Sequence, residues 1–219
     1  VAHLIILDQG APAILTFLMS ASQSSGSGIY SGVSFGPASA DRTIIVCVDA
    51  ADGPKNTAVT IGGVSASLVI KSGQTGSTTE DQMWIAAVPT GTSGTIALTG
   101  QSGGATAIGV YAVTGLRSLT PTSTNTDNDF NGSTFTGIVT TTVNTLAGGF
   151  AISSATMRNG TVTSATWTGG NQDFLRGAGS LGGLSGANAA PTGTQNVTFT
   201  TQFNGGSGIG LIGVSASFR

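Results

Sequence analysis

The side chains that could do chemistry are few and poorly placed for it. His3 is the single histidine and Cys47 the single cysteine. A Ser-His-Asp arrangement needs its base beside the nucleophile, and a zinc site needs three or four nitrogen, sulfur or oxygen ligands. One histidine near the terminus cannot supply either. Cys47 lies in the apolar run Thr43-Ile44-Ile45-Val46-Cys47-Val48 and reads as a small core hydrophobe, as free cysteine usually is. No strand-to-helix pattern carries a Gly-x-Ser-x-Gly elbow, and no Gly-rich loop ends in Lys-Ser or Lys-Thr. The sequence therefore predicts no catalytic residue and no cofactor.

Paired carboxylates are the remaining route to catalysis. Glu80-Asp81 are adjacent and could act as acid and base, but neighbours on a strand point to opposite faces. The pair follows a Gly/Ser/Thr-rich stretch, and a solvated loop is the expectation. Asp127-Asn128-Asp129-Phe130-Asn131-Gly132 matches the first half of a calcium loop, in which alternate oxygens point inward and the glycine turns the chain. Its bidentate glutamate is missing, since the twelfth position is Ile138. Asp127, Asp129 and Asn131 are thus the candidate metal ligands, against the plainer reading of an Asx turn that bonds its own backbone. Among the aromatics, Trp84 and Tyr111 are flanked by apolar residues and read as core. Trp167, in the polar run Ala165-Thr166-Trp167-Thr168-Gly169-Gly170, is the candidate surface contact.

The elements that must hold these residues are strands. Only 7% of the 219 residues are charged, yet 39% are hydrophobic, so the chain has too much apolar content to be disordered. The apolar residues fall in short Val-, Ile- and Phe-rich clumps separated by Gly, Ser, Thr and Asn. Strands are expected at 29–35, 42–49, 58–61, 65–70, 82–88, 94–98, 107–114, 133–139, 149–154, 161–168, 196–203 and 210–218. Several alternate apolar and polar residues, the mark of a half-buried strand. Residues 1–19 read as an N-terminal arm or first strand pair, 20–28 as a linker and 29–219 as a single large antiparallel β-sandwich. Residues 177–193 are so rich in Gly, Ala and Ser that a long exposed loop is expected. Recurrent Gly-Gly pairs hint at internal symmetry, but without a fixed period.

Seven Lys and Arg against nine Asp and Glu leave no basic patch, which argues against nucleic acid as a partner. The apolar stretch 4–19 contains Asp8, Gln9, Gly10 and Pro12 and no preceding Lys or Arg. It predicts neither a membrane span nor a classical signal.

Three blocks are more specific: Val59-Thr60-Ile61-Gly62-Gly63-Val64-Ser65-Ala66, Trp84-Ile85-Ala86-Ala87-Val88-Pro89-Thr90-Gly91-Thr92-Ser93-Gly94-Thr95, and Ala107-Ile108-Gly109-Val110-Tyr111-Ala112-Val113-Thr114-Gly115-Leu116. They resemble a group of tailed-phage and prophage virion structural proteins. The resemblance spans roughly residues 29–160 and carries over no catalytic residues. It implies an all-β, jelly-roll-like sandwich in a virion, assembled in the host cytoplasm. The expected function is a head decoration or cement protein, a homo-oligomer and most simply a trimer, whose partners are the major capsid protein or other virion proteins. The alternative is a tail or head-fibre adhesin that binds a host glycan through Trp167 and residues 177–193.

Overall fold

The computed structural model describes residues 11–25, 27–51, 58–73, 79–100, 104–130, 137–158, 160, 162–177, 182–205 and 210–219. Among these residues nine strands form an N-terminal unit: β1 (Ile14–Gln23), β2 (Ile29–Ser34), β3 (Thr43–Ala51), β4 (Ala58–Ile61), β5 (Val64–Ser65), β6 (Ser67–Gly73), β7 (Glu80–Ala87), β8 (Ser93–Thr99) and β9 (Ala105–Thr114). Eight form a C-terminal unit: β10 (Ser123–Asp129), β11 (Ile138–Thr145), β12 (Phe150–Arg158), β13 (Val162–Thr168), β14 (Asn171–Gly177), β15 (Gly182–Ala189), β16 (Gln195–Gly205) and β17 (Gly210–Phe218). Among the described residues these strands pair antiparallel.

The strand orders are those of a jelly roll, twice over. In the N-terminal unit the sheet β1-β9-β3-β7-β6 faces the sheet β2-β8-β4-β5. In the C-terminal unit β10-β17-β12-β15-β14 faces β11-β16-β13. The first, last, third and penultimate-but-one strands share one sheet in each unit, as two Greek keys wrapped together require. Strands β5 and β6 act as one strand that switches sheets at Ala66, whose N–H bonds Val59 O at 2.9 Å. Residues 29–219, read from sequence as one sandwich, therefore hold two.

The units stack through their five-stranded sheets, so the molecule has four β-layers. Ile44, Val46 and Val48 of β3 point to one side and pack with Val59, Ile61, Ile96 and Leu98. Ile45 and Cys47 point to the other and pack with Phe150, Ile152, Leu184, Val214 and Phe218 of the C-terminal unit. A strand buried on both faces cannot alternate, which is why β3 and β9 read as continuous apolar runs. Outer strands such as β11 are covered on one face only and do alternate: Val139, Thr141 and Val143 are inside, Ile138, Thr140 and Asn144 outside. Inside the C-terminal sandwich three buried hydroxyls are linked: Ser215 donates to Ser153 at 2.8 Å, Ser153 to Val214 O at 3.2 Å, and Thr141 bonds Ser215.

Two further expectations are corrected. Residues 20–23, placed in the linker, continue β1, and residues 14–19 are the rest of that strand, paired with β9. Residues 182–189, placed in an exposed loop, form β15, buried between β12 and β14. Small residues suit that position because aromatic rings lie against it. Phe174 of β14 is wedged where Gly186 of β15 meets Gly109 of β9, and a Cβ on either glycine would run into the ring. Phe174 stacks on Phe17 of β1 at 5.5 Å between ring centroids, and Tyr111 meets Phe17 edge-on at 5.4 Å. The polar rim of this seam is also joined across the units. Tyr111 Oη donates to Asp173 Oδ2 at 2.8 Å, and Arg176 Nε donates to Ser20 Oγ at 2.7 Å.

Candidate functional site

The acidic pair is split by the sheet. Glu80 and Asp81 open β7, and both are buried, which corrects the expected solvated loop. Glu80 accepts from Gln82 Nε2 at 2.7 Å, and Gln82 in turn accepts from Trp84 Nε1 at 2.8 Å. Asp81 faces the other way, into the seam between the units, and accepts from Ser154 Oγ at 2.8 Å. The two carboxylates cannot share a substrate. Burial pushes the Asp81 carboxyl well above the ordinary carboxylate range; Ser154 opposes the shift and neighbouring Asp49 adds to it. A carboxyl whose folded pKa is raised contributes stability that is full below its unfolded pKa, about 4, and is lost as pH rises through the folded value. The melting temperature of the native chain is therefore expected to fall relative to Asp81→Asn as pH is raised from about 4 to about 9. Paired thermal melts check this, and a difference independent of pH would reject the assignment.

Asp127 and Asp129 lie two apart on β10 and so share a face. Asp127 Oδ2 accepts the backbone N–H of Thr140 at 2.7 Å, and Asp129 Oδ2 that of Ile138 at 3.4 Å. The carboxylates cap outward-facing amides on β11, the edge strand of its sheet, and so close that edge without a further strand. Asn131 and Gly132 lie outside the described residues, as do His3, Asp8 and Asp52. Among the described residues no three His, Cys, Asp or Glu side chains are gathered as metal ligands. Trp167 faces inward. Its ring meets Phe199 edge-on at 6.3 Å, and its indole N–H donates to Ser185 Oγ at 2.9 Å.

The surfaces left for contact are of two kinds. The outer face of β11-β16-β13 is an uncharged ladder. Thr140 pairs with Thr200 at 3.2 Å, Thr142 with Thr198 at 2.9 Å and Asn144 with Asn196 at 3.2 Å, and Thr168 continues the Thr140–Thr200 row. The outer face of β2-β8-β4-β5 carries Ile29, Thr95, Ala97 and Ser65, again without charge among the described residues.

The second kind is a pair of clefts at equivalent places in the two units. Each lies between a Gly-Gly hairpin and a Pro-Thr-Gly-Thr loop: Gly62-Gly63 with Pro89-Thr90-Gly91-Thr92, and Gly169-Gly170 with Pro191-Thr192-Gly193-Thr194. The Gly-Gly pairs hinted at this symmetry, and the twice-occurring tetrapeptide is the feature that could have located it. The N-terminal cleft, about 430 Å³, is lined by Phe35, Val64, Val88 and Ser93 among others. Its loop is fixed by Arg42, buried at the start of β3. Arg42 donates to five backbone carbonyls: Val88 (2.8 Å), Gly36 (3.0 Å), Pro37 (2.8 Å), Thr90 (2.8 Å) and Gly91 (2.7 Å). The C-terminal cleft, about 500 Å³, is lined by Asn171, Asn188, Gln195, Asn196 and Thr198 among others.

No family model matches the chain, and no curated protein matches it. Among solved structures, an anti-sigma factor domain-containing protein aligns over 84% of this chain and 76% of its own at 9% identity, with a TM-score of 0.22. The mavirus major capsid protein aligns over 100% and 88% at 8% identity, with a TM-score of 0.26. The Fcho1 Mu homology domain of Danio rerio, solved with a bound Eps15 peptide, aligns over 90% and 81% at 8% identity, with a TM-score of 0.20. Scores this low do not amount to a shared fold.

Proposed function

We propose that this chain is a non-catalytic structural protein of a tailed-phage particle: a head decoration or cement protein that lies on the outer capsid as a homo-oligomer, most simply a trimer, against the major capsid protein. The observation that supports this reading is the uncharged Thr/Asn ladder on the outer face of β11-β16-β13. Soluble surfaces are ordinarily about 25–35% charged. Covering hydroxyls and amides costs less desolvation than covering charges, and their hydrogen bonds can be remade with a partner. Contacts that are individually weak add up when repeated over an ordered shell.

Two measurements test it. Quantitative mass spectrometry of particles from the strain that carries the gene is expected to find the chain at a copy number comparable to that of the major capsid protein; absence from the particles rejects the reading. Introducing Thr140→Lys and Thr198→Lys together, both on exposed ladder positions, is expected to abolish binding to heads lacking the protein while leaving the melting temperature within a few degrees. Undiminished binding would move the contact away from this face. In an adhesin role through Trp167 and residues 177–193, contact would fall on 188–193 among the described residues, because Trp167 faces inward and residues 182–187 are buried.

A further inference from the structure

The geometry points to the C-terminal cleft as a binding site for a neutral saccharide. The comparison that carries this lies within the molecule. Both clefts are built on the same scaffold, yet their linings differ in chemistry. Following the Gly-Gly turn, the N-terminal unit has Val64 where the C-terminal unit has Asn171. Aligned on Pro-Thr-Gly-Thr, Ala86, Ser93 and Gly94 stand where Asn188, Gln195 and Asn196 stand. Small or apolar residues are thus replaced by amides at every one of these positions.

Two of the four amides are held in orientation. Asn188 Nδ2 donates to both oxygens of Asp173 at 2.7 Å, on the seam side of the unit. Asn196 Oδ1 accepts from Asn144 Nδ2 at 3.2 Å, which leaves its Nδ2 to donate. Asn171 and Gln195 are exposed. Amides that both donate and accept, beside the Thr198 hydroxyl, match the vicinal hydroxyls of a sugar, each of which also donates and accepts. Among the described residues no charged side chain lines the cleft, so no ionic partner for a phosphate, a sulfate or a cationic ligand stands there. Its volume falls within the ~300–1,000 Å³ of small-molecule sites.

The experiment uses the whole chain and a panel of neutral oligosaccharides built from glucose, mannose, galactose and N-acetylglucosamine, with sulfated oligosaccharides and a mixed peptide library as further arms. Binding is read by glycan array and by side-chain amide shifts in NMR titration. At least one neutral saccharide is expected to move the amide resonances of the cleft. Asn171→Val with Gln195→Ser, which installs the residues of the N-terminal cleft, is expected to weaken that binding at least tenfold at an unchanged melting temperature. Val64→Asn in the N-terminal unit should leave it unaltered. The inference is overturned if no neutral saccharide shifts these amides at millimolar concentration, if the double variant binds as well as the native chain, or if the sulfated or peptide arm binds instead. It does not rest on the particle reading: the isolated chain is tested without heads, so either can fail alone.

Discussion

Replacing Arg42 with methionine is expected to lower the melting temperature by about 8–16 °C, the equivalent of about 4 kcal/mol in a chain of this size. The expectation follows from where the guanidinium sits. Arg42 is among the largest fully buried side chains, and its five donated bonds end on carbonyls of two separate loops, at 36–37 and 88–91. Hydrogen bonds from a charged donor are worth about 1.5–3 kcal/mol each, but they are not additive and some of the freed carbonyls will find water. Methionine fills much of the volume, so the loss reports the bonds rather than a cavity. Lysine keeps the charge but has three donors on a single nitrogen instead of a planar fork, and Arg42→Lys should recover less than half of the loss. Hydrogen exchange at residues 88–91 should accelerate in both variants, because the loop would then be held mainly by its own turn. Melting within about 2 °C of the native chain for both variants would show that the clamp contributes nothing.

How much of this was legible in the sequence depended on how each strand is buried. Strands with an apolar core face, such as β4, β8, β16 and β17, announced themselves by composition or alternation. The apolar runs of β3 and β9 gave the strands but not their double burial, because a run of four to eight apolar residues does not say how many layers cover it. Strand β10, Ser123–Asp129, contains no apolar residue, and its order comes from pairing with β17 and from the carboxylate bonds to β11. Strand β15 was read as loop because its glycines and alanines look like a linker. They are instead the surface on which Phe174 and Trp167 rest, a reason that exists only once the rings are in place. The same holds for the sites. The splitting of Glu80 from Asp81 followed from strand periodicity, whereas their burial did not. The Gly-Gly pairs hinted at symmetry but not at paired clefts, although Pro-Thr-Gly-Thr occurs twice, and the amide lining draws on residues 171, 188 and 195–196, which only the fold brings together.

The seam between the units offers the other large effect. Phe174→Ala is expected to cost about 3–5 kcal/mol, because it removes a ring that two glycines and two aromatic neighbours enclose. Gly109→Ala should cost about 1–3 kcal/mol by forcing a methyl group into the same ring. The informative experiment is the combination. If the ring is the obstacle, Gly109→Ala with Phe174→Leu will cost less than the sum of its single changes, since the smaller side chain leaves room for the methyl. Strict additivity in denaturant titrations would mean that Gly109 and Phe174 do not meet. Gly109 belongs to the N-terminal unit and Phe174 to the C-terminal one, so the coupling also measures how the two jelly rolls are joined. A coupled pair requires that the seam be closed in solution. A closed seam, in turn, fixes the N-terminal cleft relative to the threonine ladder and the amide-lined cleft, both of which lie on the C-terminal unit.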